Sequence, residues 1–169
     1  MNLYFIRHAI AVQAGTPEYE NDSLRLLTDK GKKKMQKIAR GLKELDAEID
    51  LIISSPYARA VGTTKILRKA FDLNDEDIVE TEHLSPVGYS DQLIDLINQK
   101  YADIENIALV GHEPSLSNLV SILVTGDPNL ALTLKKGGIC RLAVDTLQYG
   151  RCATLEWLLS PSQLAEFSE

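Results

Sequence analysis

The chain has 169 residues, of which 44% are hydrophobic and 25% are charged, and its formal net charge is −6. This length and composition are those of one globular domain with a sizeable hydrophobic core. The negative charge argues against nucleic-acid and anionic-membrane partners, so an anionic ligand has to be held by a few placed cations.

The sequence also bears on the cellular compartment. No apolar run approaches the roughly 20 residues that a membrane-spanning helix requires. The first residues lack the pattern of a signal peptide, so we expect an intracellular, cytoplasmic protein. Cys140 and Cys152 have no metal-binding or redox spacing, which fits packing in a reducing compartment.

Strand and helix patterns alternate from the N-terminus onward. Residues 2–7 (NLYFIR) predict a strand covered on both faces, because apolar residues are nearly continuous there. The polar residues 9–27 predict a loop. Thr28 is predicted to cap a helix that continues to Leu45. The predicted buried face of this helix consists of Met35, Ile38, Ala39, Leu42 and Leu45.

The alternation continues through the middle of the chain. Residues 49–55 (IDLIISS) predict a second strand. Residues 56–71 predict a helix with Ser55 as its N-cap and Pro56 at the first helical position. The elements expected next are a strand near 78–81, a helix over 91–99, a strand over 106–112 and a helix after Pro114.

The C-terminal third has a different pattern. Residues 137–146 and 150–160 predict two strands joined by a short polar turn around Gln148 and Gly150. No repeat or linker divides the sequence, so residues 1–169 are predicted to form a single domain. The alternation predicts an α/β fold, a three-layer α/β/α sandwich with a mostly parallel, mixed central sheet.

Cationic side chains occur at the carboxyl ends of predicted strands, where open sheets bind ligands. Arg7 and His8 end the first strand, Arg59 lies in the turn after the second, and His112 ends a later strand. Each residue alone is more often structural or solvated. Two of the chain's three histidines occupy such positions. The occurrence of all four cationic residues at carboxyl strand ends therefore indicates one shared pocket for phosphate.

These segments resemble the signature of the histidine phosphatase superfamily. Residues 7–8 (RH) match its Arg-His pair, followed by Ala9 where many members have glycine. Residues 55–59 (SPYAR) with Thr63 resemble its second motif, and residues 111–112 (GH) resemble its third. The motifs follow in the right order across essentially the whole chain, and the resemblance implies a histidine phosphatase domain over residues 1–169.

Within the superfamily, the short chain resembles the SixA-type phosphohistidine phosphatases. Residues 24–31 (LRLLTDKG) and 84–88 (LSPVG) support this resemblance. Such proteins tend to have an Arg-x-Leu-Thr stretch before the first helix, here Arg25 to Thr28 with leucine where proline is frequent. The resemblance places the loop before this helix at the border of the pocket. It leaves open whether Asp22 and Arg25 reach the substrate, with Arg25 as a candidate binding residue.

The resemblance implies roles for the site residues. His8 is the expected nucleophile, forming a covalent phosphohistidine that water hydrolyses. A backbone carbonyl is expected to hold its other ring nitrogen. Arg7, Arg59 and a protonated His112 are expected to bind the phosphoryl oxygens. No metal or cofactor is implied.

One position departs from phosphoester-cleaving relatives, in which a glutamate after a Leu-x pair protonates the leaving oxygen. Residues 84–86 (LSP) place Pro86 there, and proline has no proton to donate. Glu82, His83 and Glu113 are alternative donors, although each is more often solvated or structural. An imidazole leaving from a P–N bond needs this acid less than an alkoxide does. The departure therefore favours phosphohistidine as the substrate.

We expect a signal-transduction phosphatase that dephosphorylates a phosphohistidine on a phosphotransfer domain or another phosphoprotein. A monomer is the working hypothesis. One alternative is a small-molecule phosphomonoesterase of the same superfamily. Another is a non-catalytic phosphate-binding regulatory module, against which the intact set of site residues argues. A mutase is less expected, because the short loops offer little lid over an intermediate.

Overall fold

The computed structural model describes residues 1–168, which contain one six-stranded sheet. The strands are β1 (Asn2–Arg7), β2 (Leu51–Ser54), β3 (Ile78–Glu80), β4 (Asn106–Gly111), β5 (Ile139–Val144) and β6 (Ala153–Leu159). Their order across the sheet is β3-β2-β4-β1-β5-β6. The pairs among β1 to β4 are parallel, whereas β5 is antiparallel to both β1 and β6. The predicted mixed, mostly parallel sheet is confirmed.

Helices cover both faces of this sheet. They are α1 (Asp29–Glu44), α2 (Ala58–Ala70), α3 (Ser90–Lys100), α4 (Ser115–Thr125) and α5 (Pro161–Glu166). Alternate residues of β1 point to opposite faces. Leu3 and Phe5 pack in the core with α3 and α4, while Tyr4 and Ile6 pack with α1, α2 and α5. The three-layer sandwich is therefore confirmed.

Helix α1 forms where the sequence predicts it. The hydroxyl of Thr28 accepts a hydrogen bond from the backbone N–H of Gly31 at 2.9 Å, as an N-cap does. Met35, Ile38, Ala39 and Leu42 are buried on the sheet side, and Leu45 packs partly buried against the same core. No helix within residues 1–168 is long and apolar enough to cross a membrane.

The start of α2 differs from the prediction. Tyr57, not Ser55, occupies the N-cap position, and the helix begins at Ala58. The Ser55 hydroxyl instead accepts from the Tyr57 backbone N–H at 3.2 Å and contacts His112 at 2.8 Å. Residues 55–57 thus form a separate turn, because the Ser55 side chain has partners across the sheet edge.

Helix α5 is absent from the sequence predictions. Ser160 caps it through a reciprocal capping box with Gln163, and Pro161 occupies the first turn. These are recognisable helix-start signals, but the segment follows β6 directly and is short. The predicted hairpin of β5 and β6 is confirmed, with residues 145–152 connecting the strands.

The sheet order places the motif-bearing strands side by side. Strand β4 lies between β2 and β1, with Arg7 opposite Gly111 and Ser54 opposite Val110. The parallel ladder continues one residue further on each side. The His8 N–H donates to the Gly111 carbonyl at 3.1 Å, and the Ser55 N–H donates to the Val110 carbonyl at 2.9 Å. Three carboxyl strand ends therefore meet at one edge.

Candidate active site

His8, Arg59 and His112 come together at this edge. Nε of Arg59 lies 3.3 Å from Nε2 of His8, and the imidazole ring centroids of His8 and His112 are 5.1 Å apart. All three residues are buried, with exposed fractions of 6%, 4% and 3% for His8, Arg59 and His112. The structure thus assembles residues that lie up to 104 positions apart in the sequence. Their catalytic roles stay predictions.

The surroundings of His8 define its tautomer. Nδ1 lies 2.8 Å from the carbonyl oxygen of Ala9, which can only accept a hydrogen bond, so Nδ1 carries the ring proton. Nε2 accepts from the N–H of Arg59 Nε and therefore holds a lone pair. This is the arrangement expected from the sequence, in which a backbone carbonyl keeps the attacking nitrogen unprotonated.

Asp22 holds Arg59 from the opposite side, in a contact that the sequence left open. Nη1 of Arg59 donates to the backbone carbonyl of Asp22 at 2.8 Å, and Nη2 donates to its Oδ2 at 2.9 Å. Nε of Arg25 donates to the other oxygen, Oδ1, at 2.8 Å. The loop before α1 therefore borders the site. Arg25 contacts the site through Asp22, and its role in substrate binding stays a prediction.

Arg7 is anchored at the end of β1. Nη1 donates to the carbonyl oxygen of Leu134 at 2.9 Å. Its Nε is buried and has no hydrogen-bond partner within the described residues. The charge of Arg7 acts on His8, as does that of Lys136, which the sequence analysis did not single out. Lys136 carries no sequence motif, and only the fold brings its charge to the pocket.

His112 is oriented by two residues of the second motif. Nε2 lies 2.8 Å from the Ser55 hydroxyl, and the ring meets the Tyr57 ring edge-on with centroids 5.2 Å apart. Nδ1 is buried, and nothing in residues 1–168 forms a hydrogen bond with it. A buried ring nitrogen without a protein partner beside His8 fits a donor to a phosphoryl oxygen.

Both imidazoles are neutral at neutral pH. Burial, reinforced by the charges of Arg59 and Arg7, lowers the pKa of His8 to about 4. Burial, reinforced by the neighbouring His8 imidazole and the charge of Arg59, lowers the pKa of His112 to about 3. A protonated His112 is therefore expected only beside a bound anion, whose negative charge raises the pKa of a neighbouring imidazole.

The alternative proton donors lie in structural or exposed positions. Both carboxylate oxygens of Glu113 accept from Ser117, from its N–H at 3.1 Å and from its hydroxyl at 2.6 Å, at the start of α4. Glu82 is exposed and His83 is half-buried. Within residues 1–168, neither side chain makes a hydrogen bond to a site residue.

Asp22 is the one carboxylate, among the described residues, that hydrogen-bonds to Arg59. Burial raises the pKa of its carboxyl group, but the hydrogen bonds from Arg25 and Arg59 outweigh that effect and lower the pKa. Asp22 is consequently ionised at neutral pH and is a poor acid.

In the part of the chain that the structure describes, no three His, Cys, Asp or Glu side chains are placed to hold a metal ion.

Known proteins share sequence motifs and the fold with this chain. The model of the histidine phosphatase superfamily (branch 1) matches residues 3–91, which include the first two motifs. Two solved structures share the fold. The protein histidine phosphatase SixA complexed with tungstate has a TM-score of 0.81 at 24% identity, covering 97% of this chain and 99% of SixA. The alpha-ribazole phosphatase from Shigella flexneri has a TM-score of 0.72 at 18% identity, covering 95% of this chain and 97% of that one.

A sequence relative matches a shorter segment. An uncharacterized protein of Picosynechococcus sp. is 40% identical over 70 residues, which is 41% of each chain. The matched segment thus covers less than half of the length of that relative. The two structural likenesses, both below 25% identity, establish the fold alone.

Proposed function

The chain belongs to the histidine phosphatase superfamily, and on this premise we propose that it removes phosphate from phosphohistidine on a phosphotransfer domain or another phosphoprotein. Membership of the superfamily supports phosphatase activity as such. Phosphohistidine specificity and the covalent phospho-His8 intermediate are the proposal. The observation that supports it is a His8 whose Nε2 carries a lone pair rather than a proton, in a pocket where none of the candidate acids among residues 1–168 is placed to donate a proton.

In the first step, the phosphoryl group binds with its oxygens toward Arg7, Arg59 and His112. Nε2 of His8 attacks phosphorus, so that a new N–P bond forms while the P–N bond to the substrate imidazole breaks. The departing imidazole takes the bonding electron pair. It leaves as a neutral ring when its second nitrogen already carries a proton.

In the second step, water attacks phosphorus and the Nε2–P bond breaks. The proton on Nδ1 of His8 stays hydrogen-bonded to the Ala9 carbonyl throughout. Phosphorylated His8 is therefore a protonated phosphoimidazole, whose leaving group is neutral imidazole. Phosphate is released, and His8 returns to its starting tautomer without an external acid for the leaving nitrogen.

An alkyl phosphate makes a different demand on the pocket. Its leaving alkoxide is strongly basic and needs a proton as the P–O bond breaks. Pro86 stands at the position of the expected glutamate, Glu113 is bound to Ser117, and Asp22 is held ionised by two arginines. This environment favours a P–N substrate over an alkyl ester.

Two exposed leucines beside the site support a protein substrate. Leu24 and Leu26 are 59% and 52% exposed, on the loop whose Asp22 and Arg25 reach the pocket. Exposed apolar side chains on a loop that contacts Arg59 suit contact with a macromolecule. We assign the activity to residues 1–169 as one histidine phosphatase domain. The second candidate is a small-molecule phosphomonoesterase, which the fold shared with the alpha-ribazole phosphatase favours.

A substrate panel tests the proposal. Phosphate release is measured from a phosphorylated phosphotransfer domain, a phosphohistidine peptide, nitrophenyl phosphate and glycerol phosphate, with His8→Ala as the blank. We expect kcat/KM to be highest for the phosphohistidine substrates and lowest for glycerol phosphate. Faster turnover of glycerol phosphate would replace our proposal by the phosphomonoesterase. No turnover of any substrate would favour the non-catalytic module.

A further inference from the structure

Thr63 links the backbone of Arg59 to the backbone of the residue that follows His8. It lies one turn after Arg59 on α2 and is fully buried. Its hydroxyl donates to the backbone carbonyl of Arg59 at 2.8 Å. The same oxygen accepts from the backbone N–H of Ala9 at 3.0 Å, which links α2 to the residue that follows His8. Thr63 thus joins two segments that are 54 positions apart.

These bonds belong to a closed ring of hydrogen bonds, which we call the Thr63 circuit. The Ala9 carbonyl accepts from Nδ1 of His8 at 2.8 Å, and Nε2 of His8 accepts from Nε of Arg59 at 3.3 Å. Arg59 returns to Thr63 through its own carbonyl. Four hydrogen bonds therefore connect His8, Ala9, Thr63 and Arg59 in a ring that includes both nitrogens of the His8 imidazole.

We propose that Thr63 is a positioning residue that sets the tautomer and direction of the His8 ring relative to Arg59. The inference rests on the proposed function in taking His8 as the nucleophile. Within residues 1–168, the Thr63 hydroxyl makes no hydrogen bond to the His8 ring. It acts through Ala9, whose carbonyl decides which ring nitrogen is protonated.

The physical reason lies in the Ala9 backbone. Ala9 is 3% exposed, and its N–H is satisfied by the Thr63 hydroxyl. A buried N–H that loses its partner is costly, so the backbone turns toward another acceptor. Such a turn moves the Ala9 carbonyl away from Nδ1. The Nε2–H tautomer, which has no lone pair for attack, then gains population.

The neighbouring Thr64 provides a matched control. It is also buried, at 3% exposure, and it lies on the same helix. Its hydroxyl donates to the Ser54 hydroxyl at 3.0 Å and makes no hydrogen bond to His8, Ala9 or Arg59 within residues 1–168. Thr64→Val removes one buried hydroxyl from α2 without breaking the circuit.

The experiment compares Thr63→Val, Thr63→Ser and Thr64→Val with the unaltered protein. The His8 tautomer is observed in a long-range proton–nitrogen correlation spectrum at neutral pH, and kcat and KM are measured on nitrophenyl phosphate. We expect T63V to lower kcat about 10- to 100-fold with little change in KM, as partners that orient a reacting imidazole commonly do. Its spectrum should show the Nε2–H tautomer. T63S and T64V should keep the native tautomer and kcat within about threefold.

The result that overturns the proposal is T63V with the native tautomer and native kcat, or T64V with the same loss as T63V. If T63V does not fold, the unaltered protein still decides, because an Nε2–H tautomer of its His8 contradicts the circuit directly. The spectrum needs no substrate. Failure to cleave phosphohistidine would therefore reject the proposed function without touching this inference.

Discussion

Arg59 donates a hydrogen bond from Nε to Nε2 of His8 across 3.3 Å. If His8 is the nucleophile as we propose, the guanidinium lies in the direction from which phosphorus has to approach it. The contact directs the Nε2 lone pair toward Arg59. We expect an oxygen of a bound phosphoryl group to take over the Arg59 donor and so make the lone pair available for in-line attack.

Arg59→Ala and His112→Ala are each expected to lower kcat/KM by about 100-fold or more, since removing one preorganised donor commonly costs that much. Arg68→Ala is the matched control. Arg68 lies on the same helix, is 39% exposed and pairs with Asp75 at the surface. Steady-state kinetics on nitrophenyl phosphate measure all three variants. Full activity of either site variant would show that the substituted residue has no part in binding or transferring the phosphoryl group.

Asp22 is expected to position Arg59. Two substitutions distinguish its hydrogen-bond acceptor from its negative charge. Asp22→Ala removes the acceptor for Nη2 of Arg59 and should lower kcat about tenfold. Asp22→Asn keeps an acceptor oxygen, so kcat should stay within about threefold. Both variants remove a negative charge and should bind tungstate more tightly. An unchanged kcat in Asp22→Ala would show that Arg59 needs no such support.

Acidification is expected to destabilise the ligand-free protein. Burial holds the pKa of His8 at about 4 and that of His112 at about 3. The unfolded chain therefore binds protons below about pH 6.5 that the folded chain does not, and stability is lost as the pH falls toward 4. Urea unfolding should show a loss of about 2 kcal/mol per histidine between about pH 7 and pH 5.

His112→Gln is the control for this pH dependence. It removes one titrating imidazole and should reduce the loss by about half of the histidine contribution. The same loss in this variant as in the unaltered protein would assign the pH dependence to other groups.

Oxyanion binding is expected to take up a proton. His112 has a pKa of about 3 and is neutral at neutral pH, whereas a bound dianion favours its imidazolium form. Calorimetric titration with tungstate in buffers of different ionisation enthalpy should show uptake of close to one proton at neutral pH. His112→Gln should abolish the uptake. Binding without proton uptake would contradict the protonated role of His112.

The leaving group is expected to determine the rate. Without a positioned acid, kcat/KM should fall steeply from nitrophenyl phosphate to glycerol phosphate. Glu113→Gln should change kcat/KM for neither substrate by more than about tenfold, because Glu113 is bound to Ser117. Loss of a positioned acid would instead cost about 10²–10⁴-fold. A selective collapse of glycerol phosphate cleavage in this variant would identify Glu113 as the acid.

The sequence predicts the positions of Arg7, His8, Arg59 and His112 because of one general property of parallel sheets. Neighbouring parallel strands end at the same edge, so motifs at carboxyl strand ends converge without any knowledge of side-chain packing. The apolar face of α1 and its Thr28 cap are predictable for a similar reason, because both follow local rules of the helix.

Contacts between distant polar side chains are beyond such rules. Asp22 lies in a loop without periodic pattern, and its contact with Arg59 depends on how that loop crosses the sheet edge. Ser55 has the residue type and spacing of an N-cap, but its hydroxyl faces His112 instead. The Thr63 circuit likewise requires the tertiary placement of α2 against β1.

Trapping a phosphoryl group on His8 tests the central claim most directly. The protein is mixed with a radiolabelled phosphohistidine substrate, quenched within milliseconds in alkali, where phosphohistidine is stable, and digested for mass spectrometry. We predict transient label on the peptide that contains His8, formed no more slowly than phosphate is released and absent from His8→Ala. Phosphate release without label on this peptide at any time, or undiminished release by His8→Ala, would contradict the account.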